Sequence, residues 1–496
     1  MKRVKLTVGD VVFASLALAA IVIRGRALAD LGVPPGFDGG DWLALGRGLF
    51  GEQVRPSGLA ASPVTPVLTY ASVMLAGARF TFVAFAAVFA VAPGAGVYAV
   101  LRNRIASVDA ALVAALVVAC AASGEAASWG GYPQLLSLGL LPPALVLVDR
   151  AFDRGDAKLT VVAGVALLGL VLTSDFVFTL AALATTAIVA ARLSALVALK
   201  GWRVVRRLLL LLALPLVVSI PLAAQIAKAR VAAVLNPAGT TAVSQSFIER
   251  VNFVVADRRL LWHIVLLAGV AAIVLLWERR FETHWRVGAV VAVVGLALTT
   301  LFDEPRLAYL LPTAGALSLG LWSPELRRLS RLPLFAFAVG LGCLVQFETL
   351  PATARLQARS YQALTPEMVE AIDWLDARSD SSSLVAVTPY NDGPAIGWWI
   401  EGLAGVRTLT ASNLRWLHFD TERATAKQAA QIFASGVPDV ARLRRAKAMD
   451  VTLVFVDKRW GSFDATRVRA LRTEAPRAVA FENDDVVILA TAGLGE

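Results

Sequence analysis

The sequence predicts a polytopic α-helical membrane protein of about eleven spans with an α/β domain at its C-terminus. Three observations support this. Hydrophobic residues make up 57% of the 496 positions and the mean hydropathy is +0.67, which no soluble core requires. Apolar runs long enough to cross roughly 30 Å of hydrocarbon recur along the first 350 residues. After Leu350 these runs stop and charged residues return.

The spans are expected at 8–24, 79–101, 107–123, 132–149, 158–173, 176–192, 206–228, 259–277, 286–302, 307–322 and 332–350. The first follows Met1-Lys2-Arg3-Val4-Lys5 and lacks a small-residue cleavage site behind it, so it is read as a retained helix. An odd number of crossings puts the two ends on opposite sides. The clusters Lys2/Arg3/Lys5, Arg102/Arg104, Arg150/Arg154/Lys158, Lys200/Arg203/Arg206/Arg207, Arg279/Arg280 and Arg327/Arg328/Arg331 all fall on one side, which the positive-inside rule makes cytoplasmic. Arg24/Arg26 and Arg258/Arg259 fall on the other. The expected location is therefore the cytoplasmic membrane, with the N-terminus cytoplasmic and the C-terminal domain extracytoplasmic. Counting Pro63 to Gly77 as a further span would scatter the later clusters. That segment is instead placed, with Asp41 to Gly51, in an outer loop over 25–78 that lies along or dips into the membrane surface.

The formal net charge of +10 is accounted for by cytoplasmic loops facing anionic lipid headgroups, and nothing points to nucleic acid. Cys120 and Cys343 lie inside predicted spans, where no disulfide framework forms. The three histidines have no ligand-like spacing. No metal ligands are assigned and no cofactor is identified, although the outer acids permit a divalent metal.

Two domains follow: 1–350 in the membrane and 351–496 outside it. In the second, Thr365-Pro366-Glu367 reads as a helix start. Strands are expected at Leu384–Thr388, Thr452–Asp457 and Val486–Ala490, and helices at Ala424–Ala434, Asp439–Ala448 and Ala465–Glu474. There is no phosphate loop, nucleophile elbow or zinc spacing. The segment from Pro389 to Gly402 contains Trp398, Trp399 and Glu401. Paired indoles beside an acid suit stacking on sugar rings, or packing of the domain itself.

Topology gathers Asp38, Asp41, Glu125, Trp129, Tyr132, Asp175, Asp303, Glu304, Arg306 and Tyr309 at the outer span ends. Acids against a membrane bundle are costly and are commonly tied to chemistry or transport. Asp41 also suits a helix N-cap, Asp38 a turn, and Asp175 a cap for the helix that follows. Arg306 can grip a phosphate bidentately, or pair with Asp303 or Glu304.

This arrangement resembles the GT-C superfamily of polyprenyl-phosphate-dependent glycosyltransferases, across roughly residues 1 to 350. The carriers are Asp41-Trp42-Leu43-Ala44-Leu45-Gly46-Arg47-Gly48-Leu49-Phe50-Gly51, Ser62-Pro63-Val64-Thr65-Pro66-Val67-Leu68 in place of a Pro-Pro-Leu type segment, and Arg306-Leu307-Ala308-Tyr309-Leu310-Leu311-Pro312. Trp42 stands where many members have a second acid, and Val64 and Thr65 break the second motif. The resemblance implies a catalytic acid at Asp41 or Asp38 and donor binding at Arg306, with Tyr309, Trp129, Tyr132, Trp398, Trp399 and Glu401 around the substrates. It further implies a polyprenyl-phosphate-linked sugar as donor, and a glycan, lipid or protein acceptor on the outer face. The Trp-Trp-Asp-Tyr-Gly signature of oligosaccharyltransferases is missing, so peptide glycosylation is not the first expectation. Two other readings stay open: a non-catalytic member that binds glycan or a partner, and a transporter of lipid-linked sugars.

Overall fold

The computed structural model describes residues 6–52, 62–154, 156–174, 334–380, 382–388, 396–410, 420–434, 436–459 and 463–494, with scattered positions between 176–217 and 309–320. The chain forms two compact units. One draws its described residues from Met1–Asp30, Ala84–Leu222 and Ala242–Arg359, the other from Leu31–Val83 and Ser360–Glu496.

The first unit is helical. Helix α1 spans Val8–Ala29 and starts on a capping box, in which Thr7 and Asp10 satisfy each other's backbone amides. Asp10 also accepts from the Tyr98 hydroxyl at 2.8 Å and pairs with Arg102 at 2.6 Å, and Phe13 stacks on Tyr98 at 4.5 Å. In the second unit α2 spans Gly39–Leu49 and α3 Val64–Ala76. Helices α4 (Ala78–Phe89) and α5 (Ala92–Leu101) follow, then α6 (Ser107–Ala119), α7 (Ala121–Trp129), α8 (Tyr132–Arg154), α9 (Ala157–Thr173) and α10 (Leu334–Ser360). Small residues let the helices of the first unit approach closely. A Cβ on Gly96 would lie 2.2 Å from the Gly139 carbonyl oxygen, so α5 and α8 touch backbone to backbone there.

Among the described residues, four helices are long and apolar enough to cross a membrane: Val8–Ala29, Ala78–Leu101, Tyr132–Phe152 and Ala336–Ser360. The α6 and α7 pair, bent by 44°, makes a fifth if it is one span. Ala157–Thr173 and Phe176–Thr186 are shorter apolar helices. Three expected spans, 206–228, 259–277 and 286–302, lie wholly or largely outside the described residues, so the count of eleven is not established. Three boundaries move. The first helix runs on to Ala29 because Arg24 and Arg26 continue it. The expected span 107–123 breaks at Cys120, whose extended ψ of 135° ends one helix and caps the next. The last helix continues through Pro351 to Ser360. Helix α3 has 13 residues, about 20 Å of rise, which is short of a full crossing.

The second unit contains a five-stranded sheet ordered β2-β1-β3-β5-β4. Its strands are β1 (Leu384–Val387), β2 (Arg407–Thr408), β3 (Leu453–Asp457), β4 (Val479–Glu482) and β5 (Val486–Ala490). β1 pairs in parallel with β2 and β3, and β5 runs antiparallel to both β3 and β4. Helix α11 (Pro366–Arg378) begins as expected, with the Thr365 hydroxyl accepting from the Met368 amide. Helices α12 (Ile396–Ala404), α13 (Asp420–Ile432), α14 (Val440–Lys447) and α15 (Ala465–Glu474) complete the unit. The sequence reading missed α12, β2 and β4. The two strands are the sheet's edges, one of two residues and the other half-exposed, so neither carries a buried apolar run to announce it.

Candidate functional site

The polar island after α1 is an ordered turn into α2. Val33, Pro34, Pro35 and Gly36 are buried, and Gly36 sits at φ +99°, a conformation that favours glycine. Asp38 occupies the N-cap position of α2 without a side-chain capping bond, and Asp41 lies in the first helical turn. The expectation that Asp41 itself caps the helix is therefore corrected, because the helix starts two residues before it, at Gly39. Separated by three positions, the two acids share one face at the end of the helix where the backbone favours negative charge. Both are half-buried.

What holds this end of α2 is α12, within the same unit. A Cβ on Gly40 would fall 2.6 Å from the Trp399 amide nitrogen, and one on Gly39 would fall 2.8 Å from the Trp399 ring. The paired glycines are a seat for Trp399. Its ring is 0% exposed and meets Phe82 edge-on at 5.1 Å. Trp399 is thus enclosed by the protein's own residues, which is the packing alternative left open above. Glu401 is also buried, with Oε1 accepting from the Thr408 hydroxyl at 2.7 Å and its amide at 3.2 Å, which ties α12 to β2. Trp398, one position along, is half-buried.

Arg47, near the far end of α2, fastens the same pair of helices. Its Nε donates to the Gly402 carbonyl at 2.7 Å and its Nη2 to Leu403 at 3.1 Å, so the guanidinium caps the C-terminus of α12. Nη1 pairs with Glu52 at 2.6 Å, and Glu52 accepts from the Tyr70 hydroxyl at 2.9 Å. That carboxylate raises the Tyr70 phenol above its ordinary value.

In the first unit, the Trp129 indole donates to the Tyr309 hydroxyl at 3.1 Å. Two half-buried residues 180 positions apart, both expected at outer span ends, are therefore in contact. Tyr132, by contrast, is 0% exposed and lies edge-on to Phe85 and Phe89, with each centroid at 6.0 Å. Its ring packs among these aromatics. Arg306, Asp303, Glu304 and Asp175 lie outside the described residues. Among the described residues, no three His, Cys, Asp or Glu side chains gather as metal ligands.

One residue was noticed in the sequence only as an exception to the charge bias. Arg24 is 3% exposed and donates from Nη2 to the Cys120 carbonyl at 3.2 Å, at the break between α6 and α7. The signal available in the sequence was an ionisable residue set inside an apolar run.

No family model matches the chain, and no curated protein matches it. Solved structures do. The crystal structure of ArnT from Cupriavidus metallidurans in the apo state aligns with a TM-score of 0.59 at 15% identity, covering 98% of each chain. The structure of the same protein bound to undecaprenyl phosphate aligns at 0.57 and 15% identity, covering 98% of this chain and 99% of that one. The fold of this chain is thus similar to that of ArnT over nearly its whole length.

Proposed function

We propose that the chain is a membrane glycosyltransferase that moves a sugar from a polyprenyl-phosphate donor to an acceptor on the outer face. The observation that carries this reading is the ArnT-type fold over 98% of the chain, one of those ArnT structures holding undecaprenyl phosphate. A pair of acids at the start of a short helix directly after the first span supports it.

In this mechanism Asp41, with Asp38 beside it on the same turn, takes the proton of the acceptor hydroxyl as that oxygen attacks the anomeric carbon. The bond from that carbon to the phosphate oxygen breaks, and the sugar inverts. Arg306 stabilises the departing phosphate, while Trp129 and Tyr309 shape the sugar's surroundings. Trp399 and Glu401 act one step removed, as the seat that fixes the acids' helix. Trp398 is the member of the tryptophan pair left for contact with substrate.

The test is transfer from a lipid-phosphate sugar donor by the purified full chain. Asp41→Asn should lower the rate by about 10²–10⁴-fold, the usual worth of a general base, and Asp38→Asn should lower it less. If both single variants and the double variant turn over like the parent, neither carboxylate is the base.

A further inference from the structure

Arg24 stands out among the charged residues of the first unit. Arg26, two positions on, is exposed, as an arginine near a span end is expected to be. Arg24 is buried within a helix long and apolar enough to span the membrane, about 8 Å from the C-terminal end of α1. An ionised side chain in that position calls for an opposite charge. None is present among the described residues. Nη2 reaches the Cys120 carbonyl, while Nε and Nη1 are buried with no hydrogen-bond partner.

The surroundings add to the demand instead of answering it. The chain breaks at Cys120, and α7 begins at Ala121, so its first backbone amides have no intrahelical acceptors. The two carbonyls at the break are already used, Cys120 by Arg24 and Ala121 by the Gln357 side-chain amide at 2.8 Å. Gly124, in the first turn of α7, lets the guanidinium lie close: a Cβ there would be 3.3 Å from Arg24 Nε and 2.5 Å from Gln357 Oε1. A guanidinium with unpartnered donors therefore lies against the first turn of a helix. Both favour a planar or tetrahedral oxyanion.

We propose that Arg24 and the N-terminus of α7 form a binding site for a phosphate-type oxyanion, with Gly124 leaving room for the guanidinium. The site is assigned from the first unit alone and does not depend on the transferase reading. An anionic phospholipid headgroup, the phosphate end of an isoprenyl lipid and free phosphate share the required chemistry.

The experiment uses the full chain in neutral detergent and needs no turnover. The unfolding midpoint is measured with inorganic phosphate, with a short isoprenyl monophosphate, and with phosphatidylglycerol against phosphatidylcholine. At least one anion should raise the parent's midpoint, by about 2 °C at a hundred times its Kd, and which one does so names the source. In Arg24→Gln the rise should vanish while the anion-free midpoint falls little or not at all, since a buried unpaired charge has been removed. Gly124→Ala, which crowds Gln357 and the guanidinium, should reduce the rise and covers the case in which Arg24→Gln does not fold. A parent that responds to none of the anions, or an equal rise in the parent and in either variant that folds, overturns the site.

Discussion

Replacing Gly40 by alanine places a methyl group against backbone, where nothing can swing aside. The new Cβ would meet the Trp399 amide nitrogen at 2.6 Å, the Trp398 carbonyl carbon at 2.7 Å and the Trp399 Cα at 2.7 Å. Ordinary contact begins at 3.4 Å, so α2 and α12 would have to separate by about 0.8 Å, an overpacking that typically costs about 1–3 kcal/mol. The displacement is itself informative. Gly402 packs in return against the Gly40 carbonyl, where its own Cβ would fall at 2.7 Å, so a shift at one glycine disturbs both helices. Thermal unfolding of the full chain, followed by tryptophan fluorescence, should show a lower midpoint for Gly40→Ala. Transfer activity should fall with it, because Asp38 and Asp41 ride on the displaced turn. Gly169→Ala is the control: a Cβ there meets nothing within 4 Å, and alanine in a helix is favoured by up to about 1 kcal/mol. If Gly40→Ala melts with the parent, the close seating of α2 on α12 is wrong, and with it the role given to Trp399.

Arg47→Ala should loosen the same helix pair from the other end. It removes two bonds to the α12 carbonyls and the pairing with Glu52, a loss of about 2 kcal/mol for charge-assisted bonds to be read by chemical denaturation, whereas Arg47→Lys should recover only part of it because the bonds come from a fork. Trp129→Phe and Tyr309→Phe should each cost about 1 kcal/mol, and the double variant less than their sum, since either one alone removes the shared hydrogen bond; strict additivity would mean that the bond contributes nothing. The Asp464 carboxyl is held below its ordinary value by the Thr466 hydroxyl and then its amide. A depressed carboxylate stabilises the fold above the unfolded-state pKa and loses that contribution as pH falls through the folded value. Asp464→Asn should therefore lower stability at neutral pH and flatten its decline in acid, and an acid titration of unchanged shape would refute this.

Much of the membrane unit was readable from residue order because spanning helices must satisfy their own backbone and face lipid with apolar side chains. The chain therefore shows Val8–Ala29 or Tyr132–Phe152 as long apolar runs. The same locality made the α11 start legible, since a hydroxyl, a proline and an acid in sequence cap a helix whatever surrounds it. Buried strands β3 and β5 announced themselves for a similar reason.

The functional roles of single residues were less accessible. Trp398 and Trp399 are chemically identical in the sequence, yet one is half-exposed and the other is enclosed by Phe82 and two glycines more than 300 residues earlier. Trp129 and Tyr309 were two members of a list until the fold set one hydrogen bond between them.

The acids Asp38 and Asp41 and the apolar spans are properties of local sequence, fixed by periodicity and by the cost of burying charge. That Gly39 and Gly40 seat a tryptophan, that Arg47 caps another helix, and that Arg24 is buried beside a helix break facing no carboxylate among the described residues were decided by tertiary packing. Periodicity tells a residue which face it is on, but what lies across from that face depends on contacts between segments hundreds of residues apart.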